Sequence, residues 1–339
     1  MAFSLIAAAD DDGRRLDRIL RKALPHLPLS ALHKLLRKGR VLVNGKKARP
    51  ETRVNSGETI SIEGFAMEDT AEGENKPNPP QTAIQPPAIR AAIPKLDILY
   101  ENEGLLILNK PAGLAAHGEN SLEEQVLSYL MPKIPPSLSF KPGPLHRLDK
   151  PSSGIITFST SLEGARNFSA LIRERKIKKL YIAIVDGSIS EKSLTWEDDL
   201  VRDKDEKKTY IAGDDAKKSQ RALTLITPLG FAQNHTLILA EIETGRTHQI
   251  RAQAAAHGHP LSGDKKYGGR AFPGSRGCGF FLHAWILEFR EIRENPKDIR
   301  GLQKIQAPLP ENFCNKISEL FGKEVLQNLK NCYAYKNVS

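Results

Sequence analysis

Between residues 65 and 94 the chain changes character. Pro77, Pro79, Pro80, Pro86, Pro87 and Pro94 stand among Glu, Asn, Gln and Ala, with few apolar side chains between them. A stretch of that composition cannot bury enough apolar surface to offset the entropy of ordering its backbone. It reads as a flexible Pro-rich linker, and it divides the 339 residues into a short leading part, 13–64, and a long part, 95–339. Each part must then build its own core, for which a hydrophobic content of 40% is sufficient.

In the leading part, Leu16, Ile19, Leu20, Ala23 and Leu24 recur at helical spacing, with Arg14, Arg15, Arg18, Arg21 and Lys22 on the other face. Pro25 and Pro28 end that helix, and Ser30 is placed to cap a second one over 31–38, which Gly39 stops. Val41-Leu42-Val43 then runs into Asn44-Gly45, the pair that favours a type I′ hairpin, and 59–63 alternates as a half-buried strand. Two short basic helices followed by a small hairpin resemble the S4 RNA-binding domain, through RRLDRIL, LSALHKLLRKGRVLVNGKKARP and VNSGETISI. In that family the second helix and the following turn contact structured RNA. The resemblance therefore implies RNA contacts at Ser30, His33, Lys34, Arg37, Lys38, Arg40 and Lys46. Charge alone would equally describe a solvated basic helix face.

The long part is rich in strand patterns and poor in helical ones. Strands are expected over 97–100 and 105–110, joined by a turn, and over 180–185, 222–226, 236–243 and 281–289. One helix is expected over 162–175, capped by Ser161, and another over 312–329. That balance points to an α+β fold on a mainly antiparallel sheet. Within it, PLHRLDKPSSGIITFS (144–159) passes from charged residues through a Pro/Ser/Gly turn into a β-branched, aromatic run. His146, Arg147 and Asp149 are thus set on a loop feeding a rigid strand, where catalytic groups are often found. The plainer reading is a turn whose Asp caps backbone N–H groups.

Charge narrows the partners. Against 40 Asp+Glu stand 50 Lys+Arg, a formal charge of +10, and nucleic acid is the commonest polyanion such a surface meets. Cys278, Cys314 and Cys332 form no C-x-x-C pair, which argues against a disulfide framework or a Cys zinc site and fits a reducing compartment. The opening residues carry no convincing signal peptide, and no apolar run approaches a bilayer's thickness. A soluble, cytoplasmic protein is expected, with no membrane association and no obligate protein partner.

Four pieces of the long part carry chemistry: LNKPAGLAAHG (108–118), HRLDKPSSG (146–154), KKLYIAIV (178–185) and ETGRTHQIRAQAAAHGHPLSGDKKYGG (243–269). In this order, and extended by FFLHAWILEF (280–289), they closely resemble the RluA family of RNA pseudouridine synthases. Conversion of uridine to pseudouridine breaks the bond from ribose to N1, turns the base and re-forms the bond at C5. The reaction adds no atom and changes no oxidation state, so no metal or organic cofactor is expected. The resemblance implies that Asp149 is the reacting carboxylate, as nucleophile or as base. It gives Arg251 as the cation beside it, Tyr181 as the aromatic platform under a flipped uridine, and Ile250 as an apolar wall. Arg147 would fill the gap the base leaves, and His146, Arg246 and His248 would contact RNA or support the site. Such an Asp must stay ionised in a base pocket, which burial opposes unless a cation adjoins it. The sequence departs from the family pattern at Lys150-Pro151-Ser152 and at Ala252-Gln253, neither of which touches the proposed ion pair.

The S4 domain and the AAHGE run (115–119) look most like the large-subunit ribosomal RNA enzymes of the family, the RluC/RluD type, so 23S ribosomal RNA or a large-subunit precursor is the expected partner. Transfer RNA is the other substrate to weigh. A different class is a catalytically silent, S4-led RNA-binding or ribosome-assembly factor, against which Asp149, Tyr181 and Arg251 stand together.

Overall fold

In the computed structural model, which describes residues 2–64, 95–134, 136–213, 218–271, 279–290 and 302–332, Asn44 and Gly45 take φ of 49° and 76°. Consecutive positive φ is what a type I′ turn demands, and it closes the hairpin expected there. The linker expected over 65–94 lies outside the described residues. The described residues within 1–95, 124–143 and 159–165 form one compact unit, and those within 96–123, 144–158 and 166–339 form the other.

The first unit contains β1 (Ala2–Ile6), β2 (Arg14–Arg15), α1 (Leu16–Ala23), α2 (Leu29–Arg37), β3 (Val41–Val43), β4 (Lys46–Lys47), β5 (Arg53–Val54) and β6 (Thr59–Glu63). Its sheet runs β1-β6-β3-β4. Strand β1, ahead of the expected start at residue 13, pairs with β6 from Ala2↔Glu63 to Ile6↔Thr59. Leu16, Ile19 and Leu20 of α1 and Leu32 and Leu36 of α2 close on Val41, Val43, Ile60 and Ile62. Leu138 packs against this core, and Asp11 accepts hydrogen bonds from the Ser137 and Ser139 hydroxyls. Two local expectations change. Arg14 and Arg15 pair with β5 and precede the helix, and α2 starts at Leu29 with Pro28 at its N-cap, so Ser30 lies in the first turn and does not cap.

The second unit is built on β7 (Ile98–Glu101), β8 (Leu105–Lys110), β9 (Gly143–Pro144), β10 (Ser153–Ser159), β11 (Ile177–Asp186), β12 (Leu194–Asp203), β13 (Lys208–Ile211), β14 (Gln220–Ala232), β15 (His235–Ile242), β16 (Leu282–Phe289) and β17 (Lys304–Gln306). Helix α3 (Leu122–Leu130) falls mostly in the first unit and α4 (Leu162–Arg173) begins in the first and continues in the second, while α5 (Gln249–Ala256), α6 (Glu311–Phe321) and α7 (Lys323–Cys332) belong to the second. The sheet order is β13-β12-β14-β15-β11-β16-β10-β8-β7, with β17 on β16 and β9 on β10. Hairpin neighbours run antiparallel, whereas β10 joins β16 in parallel at Ser153↔His283 and Gly154↔Ala284. Gly154 is required at this seam. Its φ is +103°, and a Cβ there would fall 2.1 Å from the Ala284 carbonyl oxygen.

Strand alternation sorts β11 into two faces. Leu180, Ile182 and Ile184, with Leu237 and Leu239 of β15, pack on Phe313, Ile317 and Leu329 of α6 and α7. Each such side chain contributes about 1.5–3 kcal/mol on burial. Lys179 and Tyr181 point to the opposite face, into the cleft described below. The single helix expected over 312–329 is two, broken at Gly322 with φ 89°. Ser161 does cap α4, accepting from the Gly164 N–H at 3.0 Å.

Candidate active site

The Asp149 loop is fixed at both ends. On its N-terminal side the His146 ring accepts the Thr157 N–H at 3.0 Å through Nε2. Burial, and then the charge of Lys179, hold this imidazole neutral, pushed down to about 3. The Ser152 N–H donates to the Asp149 carbonyl at 3.0 Å, closing the turn. On the other side Ser153 Oγ meets His283 Nδ1 at 2.8 Å, beside the Gly154 seam. The first motif supports the loop from below. Gly113 N–H donates to the Lys150 carbonyl at 2.8 Å, and the buried Lys110 ammonium donates to the carbonyls of Pro111 (2.8 Å), Leu114 (2.9 Å) and Lys150 (3.3 Å). Burial lowers Lys110 to about 8, with the Asp149 charge opposing that shift.

A chain of charges orders the carboxylate. Arg251, on α5, donates from Nη1 to Asp149 Oδ2 at 2.8 Å. Its Nε and Nη2 grip Asp264 Oδ2 and Oδ1 at 2.7 and 2.9 Å. Phe280 and Tyr267 cover the guanidinium, with ring centroids 4.4 and 4.8 Å from Cζ. Burial works against this cation, but the bidentate Asp264 and then Asp149 outweigh it, so Arg251 is raised above its usual value. Side-chain exposures of 7% for Arg251, 2% for Asp264 and 13% for Asp149 leave the Asp149 carboxylate as the most open group.

His248 completes the constellation from a left-handed backbone at φ 55°. Arg202 Nη1, which can only donate, lies 3.3 Å from His248 Nδ1, so that nitrogen accepts, and the Tyr267 hydroxyl, itself accepting the Thr209 N–H at 2.8 Å, donates to it at 2.8 Å. Nε2 therefore carries the proton and faces Asp149 Oδ1 at 3.7 Å. Burial lowers this imidazole to about 4 despite the nearby Asp149. The Tyr181 phenol is raised by burial and by the Asp149 charge, which suits it to act as a neutral ring and not as a base.

A cleft of about 710 Å³ gathers Arg147, Asp149, Tyr181, His248, Ile250 and Arg251, and its lining continues to His146 and Arg246. Every catalytic and cleft residue expected from the sequence is therefore brought to one place. Arg147 is exposed and makes no hydrogen bond or ion pair among the described residues. Arg246 Nε donates to the Arg221 carbonyl at 3.1 Å. Ser30, His33, Lys34, Arg37, Lys38, Arg40 and Lys46 all lie exposed on the first unit and do not line the cleft. Sequence reasoning missed Lys110, Asp264, Tyr267 and Phe280. The available signal was the glycine density of SGDKKYGG: a Cβ at Gly269 would sit 1.9 Å from the Leu261 carbonyl, so that turn is packed too tightly to be an ordinary surface loop.

Residues 104–256 match the model of the RNA pseudouridylate synthase family, and residues 14–60 match the S4 domain. The chain is 31% identical over 317 residues to the ribosomal large subunit pseudouridine synthase C of Vibrio cholerae, across 92% of this chain and 95% of that protein. It is 30% identical over 329 residues to the protein of the same name from Escherichia coli K12, across 95% of each. The chain belongs to the RNA pseudouridine synthase family. The synthase also shares its fold with human RNA Pseudouridylate Synthase Domain Containing 1, at a TM-score of 0.54 and 23% identity over 73% of this chain and 98% of that one. The resemblance to the RluA family, the S4 domain and the α+β sheet expected from the sequence are borne out, and the synthase is an isomerase acting on RNA. Among the described residues no helix is long and apolar enough to cross a membrane.

Proposed function

We propose that this synthase isomerises a specific uridine of large-subunit ribosomal RNA in the cytoplasm, with Asp149 as the reacting carboxylate. The observation that carries the assignment is the division of labour between its oxygens. Oδ2 is held by Arg251, while Oδ1, on a residue that lines the cleft, has among the described residues His248 Nε2 at 3.7 Å and no hydrogen bond. The Arg251–Asp264 pair sets a fixed cation against the carboxylate in a partly desolvated site, as suits a nucleophile or a base at the ribose–base unit. The uridine leaves its stack to reach that oxygen, its base rests on Tyr181 against Ile250, and the uncommitted Arg147 takes its place in the RNA. Aromatic stacking of this kind is worth about 1–3 kcal/mol per base. The N1–ribose bond then breaks, the base turns, C5 bonds to the ribose, and the proton lost from C5 is balanced by one gained at N1.

The substrate assignment rests on relatives named as large-subunit enzymes, together with the S4 match and the charge of +10. We take the exposed basic face of the leading domain (13–64) as an anchor on a second RNA segment. The linker over 65–94 would raise the effective concentration of the catalytic domain (95–339) near its uridine. Purified protein should form pseudouridine in a large-subunit ribosomal RNA transcript and not in transfer RNA transcripts. Product confined to transfer RNA would transfer the assignment there, and no product in either would favour a silent binding factor.

A further inference from the structure

Two lysines of this synthase are buried beside the catalytic loop, and they differ in one respect. Lys110, 0% exposed, spends its protons on three backbone carbonyls. Lys179, 9% exposed, lines the cleft and has no hydrogen-bond or ion-pair partner among the described residues. Its neighbour on the other face of β11, Lys178, pairs with Glu241 at 3.5 Å, so carboxylates are present nearby and this ammonium meets none. Gly245 lies beside it, where an added Cβ would stand 3.7 Å from Nζ, at ordinary contact distance. Burial alone lowers the amine to about 8, and Asp149, which acts on Lys110 and Tyr181, has no part in that shift.

An unpaired buried ammonium is costly, and an open cleft is where the missing acceptor can arrive with a ligand. Lys179 stands two residues before Tyr181 on the same strand face, in a cleft whose lining also carries Arg173, Arg246 and Arg175, the last paired with Glu243 at 3.2 Å. A nucleotide flipped about its backbone draws its flanking phosphates to the mouth of the site. We infer that Lys179 is the phosphate-binding residue of the cleft, taking a non-bridging oxygen of the phosphodiester on the 5′ side of the flipped uridine. It positions the nucleotide and takes no part in bond breaking. This inference rests on the synthase reading above.

The test uses full-length protein and a synthetic RNA hairpin carrying the uridine modified in cells, made with an ordinary phosphodiester or a neutral methylphosphonate 5′ to it. Lys179→Met keeps the stem and removes the charge. It should raise KM about ten- to hundredfold with kcat nearly kept, the range of a lost hydrogen bond to a charged group. Methylphosphonate should weaken wild type similarly and Lys179→Met no further. Lys179→Met should also melt no lower than wild type, because an unpaired buried charge has been removed, whereas a structural role predicts a lower Tm. An unchanged KM, effects that multiply between protein and RNA changes (an amine on a uracil carbonyl), or a lower Tm would each overturn the inference. Wild-type inactivity on the unmodified hairpin would instead overturn the reading beneath it.

Discussion

Asp149 is useful because it is only half committed, and Asp264 is what makes that arrangement stable. Without Asp264 the Arg251 guanidinium would be shared between one carboxylate and two aromatic faces, drawn further onto Asp149. Asp264→Asn keeps the shape and removes the charge. Breaking a buried ion pair from one side costs about 3–5 kcal/mol, and Asp149 retains part of the pairing, so a loss near the lower end is expected. Denaturant unfolding measures it, together with a fall in kcat; a change within about 0.5 kcal/mol, as at ordinary surface positions, would contradict this role. Asp149, Tyr181 and Arg251 were legible because each sits in a distinctive motif. Asp264 was not, since an Asp in a Gly-flanked turn ordinarily serves its own backbone, and its partner lies 13 residues earlier. Lys110 was hidden for a related reason: its ammonium is taken up by the carbonyls of Pro111 and Leu114 in its own turn and of Lys150, 40 residues away, which no side-chain pattern announces.

The catalytic loop works as part of an element, because the parallel β10–β16 seam holds its exit. Gly154→Ala would add a Cβ at 2.1 Å from backbone at a positive φ, a clash that no side-chain rotation relieves. A loss of about 3 kcal/mol or more is expected in the unfolding free energy; a variant as stable as wild type would show that the seam can open without consequence. Strand reading from the sequence succeeded where apolar residues run together, as in β8 and β11. It failed at β12 and β13, where Glu197, Asp198 and Asp199 interrupt a strand whose buried positions are Trp196 and Leu200. It also shortened β14, which continues through Pro228 by a register shift between Pro228 and Gly230. A proline normally ends a strand pattern, and only the bulge admits it here.

At the scale of the whole molecule, folding makes three histidines harder to protonate. Burial lowers His146 to about 3 and His248 and His283 to about 4. In the unfolded chain each protonates near pH 6.5. Between about pH 6.5 and 4 the unfolded chain binds more protons, so stability rises with pH across that window and is lost as pH falls through it. The Tm should be lower at pH 5 than at pH 7, and an unchanged Tm would show these rings to be protonated in the folded protein.

The central claim is that Asp149 carries out uridine isomerisation in large-subunit ribosomal RNA. A pseudouridine map of total RNA tests it most directly, taken from cells lacking the gene and from those cells complemented with wild type or Asp149→Asn. Specific large-subunit sites should vanish without the gene and return with wild type alone. Sites restored equally by Asp149→Asn would remove this carboxylate from the chemistry, and a map that never changes would contradict the function itself.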